Sequence, residues 1–274
     1  MGCYVRPTSL DDALAALAAR RLTVLAGATD HFPARLMPAP AEDLLDITAL
    51  PALRRIERQE DGWRIPCLAT WSDVIAADLP PLFDGLRHAA RQVGGVQIQN
   101  VATLAGNVCN ASPAADGIPC LLALDAEVEL ASLAGRRRMP IGDFVLGPRR
   151  TARRQDELMT GLHVPARAGG RGVFHKLGAR RYLVISIAMV AVVAEFDAAG
   201  CVARAGVAVG ACSARAERLP AAEAALRGRR PDPALLRPEH LAPLAPIDDV
   251  RAAASYRRKA ALELLRRAVG GLAA

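Results

Sequence analysis

The chain has 274 residues, a formal net charge of +7, 52% hydrophobic residues and only 4% aromatics. That length suits one large domain or two medium ones with a real core, and the apolar fraction excludes a disordered chain. No run reaches the roughly 18 uninterrupted apolar residues of a membrane helix, and the opening residues lack the basic-then-apolar order of a signal peptide.

Cys3–Val5 reads as a short strand ended by Pro7. Thr8 or Ser9 then caps a helix, with Asp11 and Asp12 in its first turn and Leu10, Leu14 and Leu17 on one face. Leu22–Leu25 is a second strand that runs into the small-residue turn Ala26-Gly27-Ala28-Thr29-Asp30. His31–Leu36 reads as a short helix before Pro38, and Leu44–Ile47 as a third strand. Residues 1–55 therefore form one α/β unit. A hairpin follows, Leu53–Arg58 and Trp63–Leu68 around Asp61-Gly62. Ser72 and Asp73 begin a helix, and Leu82–Val93 makes a second one stopped by Gly94-Gly95.

Residues 98–116 show neither helical nor strand periodicity. Asp116 opens a helix through Leu124, and Ala126–Leu130 is a strand. Met139–Phe144 and Glu157–Val164 read as further strands or turns, and Val173–Lys176 as a short strand. Ser186–Glu195 and Val202–Val209 are apolar runs joined by a turn, two antiparallel strands of a buried sheet. Arg218–Leu226 reads as a helix. Asp248 and Asp249 cap a last helix that presents Ala253, Tyr256, Ala260, Leu264 and Ala268 on one face. The stretch Pro165–Arg171, with its Gly-Gly pair, reads as a flexible joint between two parts of the chain.

The positive charge is almost all arginine, with clusters at Arg136–Arg138 and at Arg149-Arg150 with Arg153-Arg154. A solvated surface is the plainest reading of such clusters, and phosphate attraction or a partner surface the next. The scarcity of aromatics argues against single-stranded nucleic acid, which needs stacking platforms. Six cysteines without a C-x-x-C pair are neither a disulfide framework nor a metal site, and fit buried thiols in a reducing cytoplasm. No histidine spacing suggests a metal and no motif suggests a nucleophile, so no catalytic side chain is assigned.

Two loops carry the remaining signal. At 25–30 small residues follow a strand, where backbone N–H groups can converge on an anion; taken alone, an ordinary strand-to-helix turn is the plainer reading. At 103–116 the polar residues Thr103, Asn107, Asn110, Ser112 and Asp116 stand among Gly and Ala. They either cap the following helix or line a ligand with phosphate and hydroxyl groups.

Together these loops resemble the FAD-binding subunit of the xanthine dehydrogenase family of molybdenum hydroxylases, which includes carbon monoxide dehydrogenase medium subunits. Ala26-Gly27-Ala28-Thr29-Asp30 resembles the family's A-G-G-T-D motif. Residues 98–116, from Ile98-Gln99-Asn100-Val101-Ala102-Thr103 to Asn110-Ala111-Ser112-Pro113-Ala114-Ala115-Asp116, resemble I-R-N-V-A-T-I-G-G-N-x-x-N-A-S-P-A-A-D. Phe174–Arg180 is similar to F-x-K-x-x-x-R, and Pro246–Leu265 to the closing helix.

The resemblance implies an α+β fold. A two-subdomain FAD-binding domain of PCMH type, like that of vanillyl-alcohol oxidase, would span 1–167, with subdomains at about 1–55 and 56–167. A C-terminal antiparallel sheet with helices, similar to the carbon monoxide dehydrogenase flavoprotein C-terminal domain, would span 168–274. It further implies FAD between the loops. Leu25, Ala26, Gly27, Ala28, Thr29, Asp30 and His31 would form one side, and backbone N–H groups of Gly27, Ala28 and Thr29 would meet the pyrophosphate. Thr103, Gly106, Asn107 and Asn110 would form the other side. Asp116 would hold a ribitol, ribose or ring group, the segment at Leu158 would touch adenine or flavin, and Lys176 would lie near the isoalloxazine. The implied partners are a large molybdopterin subunit and a small 2Fe–2S subunit, in a dimer of heterotrimers. Electrons would leave to NAD, oxygen or another acceptor, with no nucleic acid or membrane involved. Ala28, Ala105 and Gln99 depart from the pattern, and an Ala at a position needing positive φ would be strained. The alternative is a binding or assembly subunit that kept the fold and lost FAD.

Overall fold

The computed structural model describes residues 2–35 and 41–272. The chain opens with β1 (Tyr4–Val5), α1 (Leu10–Ala19), β2 (Thr23–Leu25) and β3 (Leu44–Asp46). The three strands pair in parallel in the order β1-β3-β2. Ser9 caps α1 by accepting the Asp12 N–H at 3.1 Å, and Ala13, Leu14 and Leu17 face the core. The helix expected over His31–Leu36 is replaced by turns at 31–34, and Leu36 lies outside the described residues. Phe32 and Ala34 donate back to Ala28 and Asp30, but Pro33 between them has no N–H with which to continue a helix.

Next come β4 (Glu57–Gln59), β5 (Gly62–Pro66), α2 (Trp71–Ala76), α3 (Asp84–Gln92), α4 (Val96–Gln99), α5 (Leu104–Asn110) and α6 (Gly117–Ala123). They are followed by β6 (Glu127–Ser132), β7 (Gly135–Pro140), the single turn α7 (Ile141–Phe144), β8 (Val145–Gly147), β9 (Arg150–Thr151) and β10 (Leu158–Pro165). An antiparallel sheet forms in the order β4-β5-β10-β6-β7. The stretch 98–116, which has no periodicity in sequence, holds the end of α4 and all of α5, with turns on either side of α5. Leu104, Ala105 and Val108 of α5 are buried and Asn107 and Asn110 half-buried, but the helix is too short for that pattern to show as a period, and Ala111 ends it in a left-handed turn at φ +47°.

The last part holds β11 (Arg171–Leu177), β12 (Ala188–Phe196), β13 (Val202–Gly210), β14 (Glu217–Arg218), α8 (Pro220–Leu226) and α9 (Ala254–Gly270). These strands form an antiparallel sheet in chain order. Strand β12 is covered on both faces, which explains its unbroken apolar run. Met189, Ala191 and Val193 pack into the core shared with the earlier sheets. Ala188, Val190, Val192 and Ala194 pack beneath α8 and α9.

Two expectations are corrected here. Helix α9 buries Arg257, Ala261, Leu265, Ala268 and Val269, while Tyr256 is exposed, so its inner face is rotated from the predicted one. An arginine can sit inside because its guanidinium donates to Asp249 and to the carbonyls of Ile187 and Ala211. Asp248 does cap the helix, accepting the Ala254 N–H at 2.6 Å, whereas Asp249 serves Arg257. The stretch 165–171 is also anchored. Arg167 is buried and pairs with Asp125, which Arg204 and Arg218 also engage.

Candidate functional site

A cleft of about 1030 Å³ opens between the end of β2, helix α5 and the β8–β9 hairpin. Leu25–His31, Thr103, Gly106, Asn107, Asn110 and Leu158 all line it. The two loops singled out in the sequence, far apart along the chain, therefore face one space.

The first loop lies tightly on the second. A Cβ on Gly27 would stand 2.1 Å from the Val101 carbonyl oxygen, so only glycine permits this approach. Gly27 itself does not need positive φ; its neighbour Ala28 does, at +52°. The feared strain is therefore real at Ala28 and absent at Ala105, which sits inside α5. On the second wall the Thr103 hydroxyl caps α5 by accepting the Gly106 N–H at 2.9 Å. Asn107 accepts the Gly117 N–H at 3.3 Å and so supports α6, the capping role weighed from sequence. Asn110 accepts from Arg149 at 3.0 Å.

Cys109 also lines the cleft, its sulfur 3.3 Å from that of Met159. Burial pushes its thiol up to about 11, and that of nearby Cys67 to about 12. Neither supplies a thiolate near neutral pH. His31 lies 3.4 Å from Glu42, and partial burial followed by the Arg35 charge lowers its pKa.

Asp116 and Lys176 are not on the wall of this cleft. They form a buried ion pair at 2.6 Å, and Ser186 donates to the other Asp116 oxygen at 2.7 Å. Burial raises the Asp116 carboxyl, while Lys176 and Ser186 pull it back. Lys176 borders a second hollow of about 280 Å³ with Gln92 and Arg180. The two hollows meet the same end of α3, since Gln92 lines one and Val93 the other.

The arginine clusters are not a free patch. Arg137 clasps Glu157 through Nε at 2.6 Å and Nη2 at 2.9 Å. Arg138 engages Asp61 and Glu129, and Arg153 donates to the Glu157 carbonyl. Arg21, Arg35, Arg149 and Arg153 line the cleft and are not among the predicted site residues. For Arg149 and Arg153 the only signal is the cluster itself, and clustering alone does not separate cleft from surface.

Residues 1–167 match the FAD-binding domain in molybdopterin dehydrogenase, and residues 174–272 match the CO dehydrogenase flavoprotein C-terminal domain. The chain belongs to this FAD-binding family. The family's medium subunits include the nicotine 6-hydroxylase medium subunit of Paenarthrobacter nicotinovorans, 30% identical across 97% of this chain and 95% of that one. The carbon monoxide dehydrogenase medium chain of Afipia carboxidovorans is likewise 30% identical, over 97% and 94%. A solved carbon monoxide dehydrogenase structure from Hydrogenophaga pseudoflava superposes with a TM-score of 0.90 at 28% identity, covering 99% of this chain and 96% of that one. The chain is thus an FAD-binding medium subunit of the molybdenum hydroxylase family, an oxidoreductase subunit with an α+β fold.

Proposed function

We propose that this chain carries electrons through FAD, taking them from the 2Fe–2S clusters of a small partner subunit and releasing them to NAD, oxygen or another acceptor. Substrate oxidation would occur at a molybdopterin centre on a large partner, in a dimer of heterotrimers. The observation that carries this reading is the shared cleft, whose donors suit a dinucleotide. It combines a close-packed Gly27–Thr29 backbone, the amides of Asn107 and Asn110, and the positive charges of Arg35, Arg149 and Arg153.

Backbone N–H groups at Gly27, Ala28 and Thr29 would hold the diphosphate. Thr103 and Gly106 shape the opposite wall, and Asn107 and Asn110 offer amide hydrogen bonds. Leu25, Ala26, His31 and Leu158 would enclose the flatter portions of the ligand, with the lowered pKa of His31 keeping it neutral at pH 7. Lys176, held by Asp116, would present a fixed positive charge toward the ring end through the second hollow. When bound, FAD supplies the exchange between one-electron and two-electron transfer. The protein's work is to bind, orient and tune, and no side chain here is assigned a proton transfer. The six unpaired cysteines support a reducing, cytoplasmic location.

The test is to purify the chain, denature it and identify released cofactor by absorbance and mass. A folded chain or complex that takes up no FAD would sink the proposal. That result would instead favour the assembly-subunit reading, whose specific support is the strained Ala28.

A further inference from the structure

Arg149 adopts φ +55°, a left-handed conformation that a long side chain keeps only when its surroundings hold it there. The holding groups come from both walls of the cleft. Its backbone N–H donates to the Ala111 carbonyl at 3.0 Å, at the end of α5. Its Nη1 donates to Asn110 Oδ1 at 3.0 Å and reaches Asp30 Oδ2 at 3.4 Å. One residue of the β8–β9 turn thus spans the two loops. Of the other arginines in the wall, Arg35 is committed to Glu42 and Arg153 to a backbone carbonyl, while Arg21 is exposed and, unlike Arg149, bridges neither loop to the other. The Arg149 side chain remains 64% exposed and that of Asp30 57%, so their ion pair is weak and exchangeable.

We propose that Arg149 is a latch for the diphosphate of the bound dinucleotide. Its guanidinium exchanges Asp30 for phosphate oxygens and so slows the ligand's departure. A planar fork suits two phosphate oxygens, whereas an ammonium offers only a point charge. The strained backbone sets the guanidinium at the mouth, and Asp30 holds it there until the phosphate arrives. Asp30 is then a competitor for the latch, not a phosphate ligand. This inference rests on the cleft being the FAD site.

The experiment measures FAD dissociation from the full chain in wild type, Arg149→Gln, Arg149→Lys and Asp30→Asn, across a range of NaCl concentrations. R149Q should speed dissociation about tenfold, the loss of one charge-assisted hydrogen bond. It should also flatten the salt dependence, and R149K should restore part of each. D30N should slow dissociation, because the competing carboxylate is gone. A purely structural bridge predicts the opposite for D30N, which breaks the same contact and would speed release as R149Q does. D30N and R149Q acting in the same direction, or R149Q releasing FAD at the wild-type rate, would overturn the latch. Wild type failing to bind FAD at all would instead overturn the reading of the cleft.

Discussion

Replacing Gly27 by alanine tests how the first loop is built. The new Cβ would sit 2.1 Å from the Val101 oxygen, 2.7 Å from its carbonyl carbon and 2.9 Å from Ala102 Cα. All three are backbone atoms, and no side chain can swing aside. The loop must retreat by about 1 Å to reach an acceptable separation, at an overpacking cost of ~1–3 kcal/mol. For a chain of this size each kcal/mol moves the melting temperature by about 2–4 °C, so G27A should melt some 3–10 °C below wild type. The same retreat withdraws backbone N–H groups from the proposed phosphate position. Losing one such bond to a charged group, worth about 1.5–3 kcal/mol, weakens FAD roughly 10- to 100-fold. Thermal melts of the apo chain and FAD titration read the two effects separately. If G27A melts with wild type and binds FAD with the wild-type Kd, the close approach to Val101 is wrong. Ala28→Gly should act in the opposite sense. Relief of left-handed strain worth ~1–2 kcal/mol outweighs the ~0.4–1 kcal/mol of added unfolded-chain entropy, so A28G should melt slightly higher.

Further outcomes follow from the buried and capping charges. Lys176→Met leaves Asp116 in the interior without its cation, and such a broken pair costs about 3–5 kcal/mol. Because burial raises the Asp116 carboxyl, this loss should be largest at alkaline pH and shrink as acid protonates it. Melts of K176M at pH 5 and pH 8 check the direction, and adding Asp116→Asn should recover stability. Asp249 is held at about 2 by the Arg251 N–H first, with Arg257 and the Ala252 N–H adding to it. Its depressed pKa makes it a stabiliser above 3.8 that is lost as pH falls toward 2. Asp249→Asn should therefore be less stable than wild type at neutral pH, with the two acid-unfolding curves converging only as pH falls through about 2.

Much of the fold was legible because its signals are local. Ser9, the Asp61-Gly62 turn and the apolar runs at 188–196 and 202–210 each mark an element by one residue's chemistry or by period. Helix α9 was placed but turned, because hydropathy sends an arginine outward and cannot see the Asp249 carboxylate and two carbonyls that receive Arg257. Helix α5 was hidden for a different reason: at seven residues it spans barely two turns, too short for Asn107 and Asn110 to establish a period against Leu104, Ala105 and Val108. At the site, the two loops could be read because small residues beside polar ones are unusual. Arg149 could not, since its meaning lies in contacts to Asp30 and Asn110, distant in sequence and brought near only by folding.

The buried sulfurs have a practical consequence. Cys67, Cys109 and Cys212 sit at about 12, 11 and 11, and burial lifts Cys120 as well. With a pKa of 11, only about one thiol in ten thousand is ionised at pH 7, so the folded chain should ignore disulfide reagents at these positions. Reaction then waits for the structure around each sulfur to open. These cysteines amount to a built-in clock for breathing of the interior, readable from the rate of thiol labelling without introducing a reporter residue.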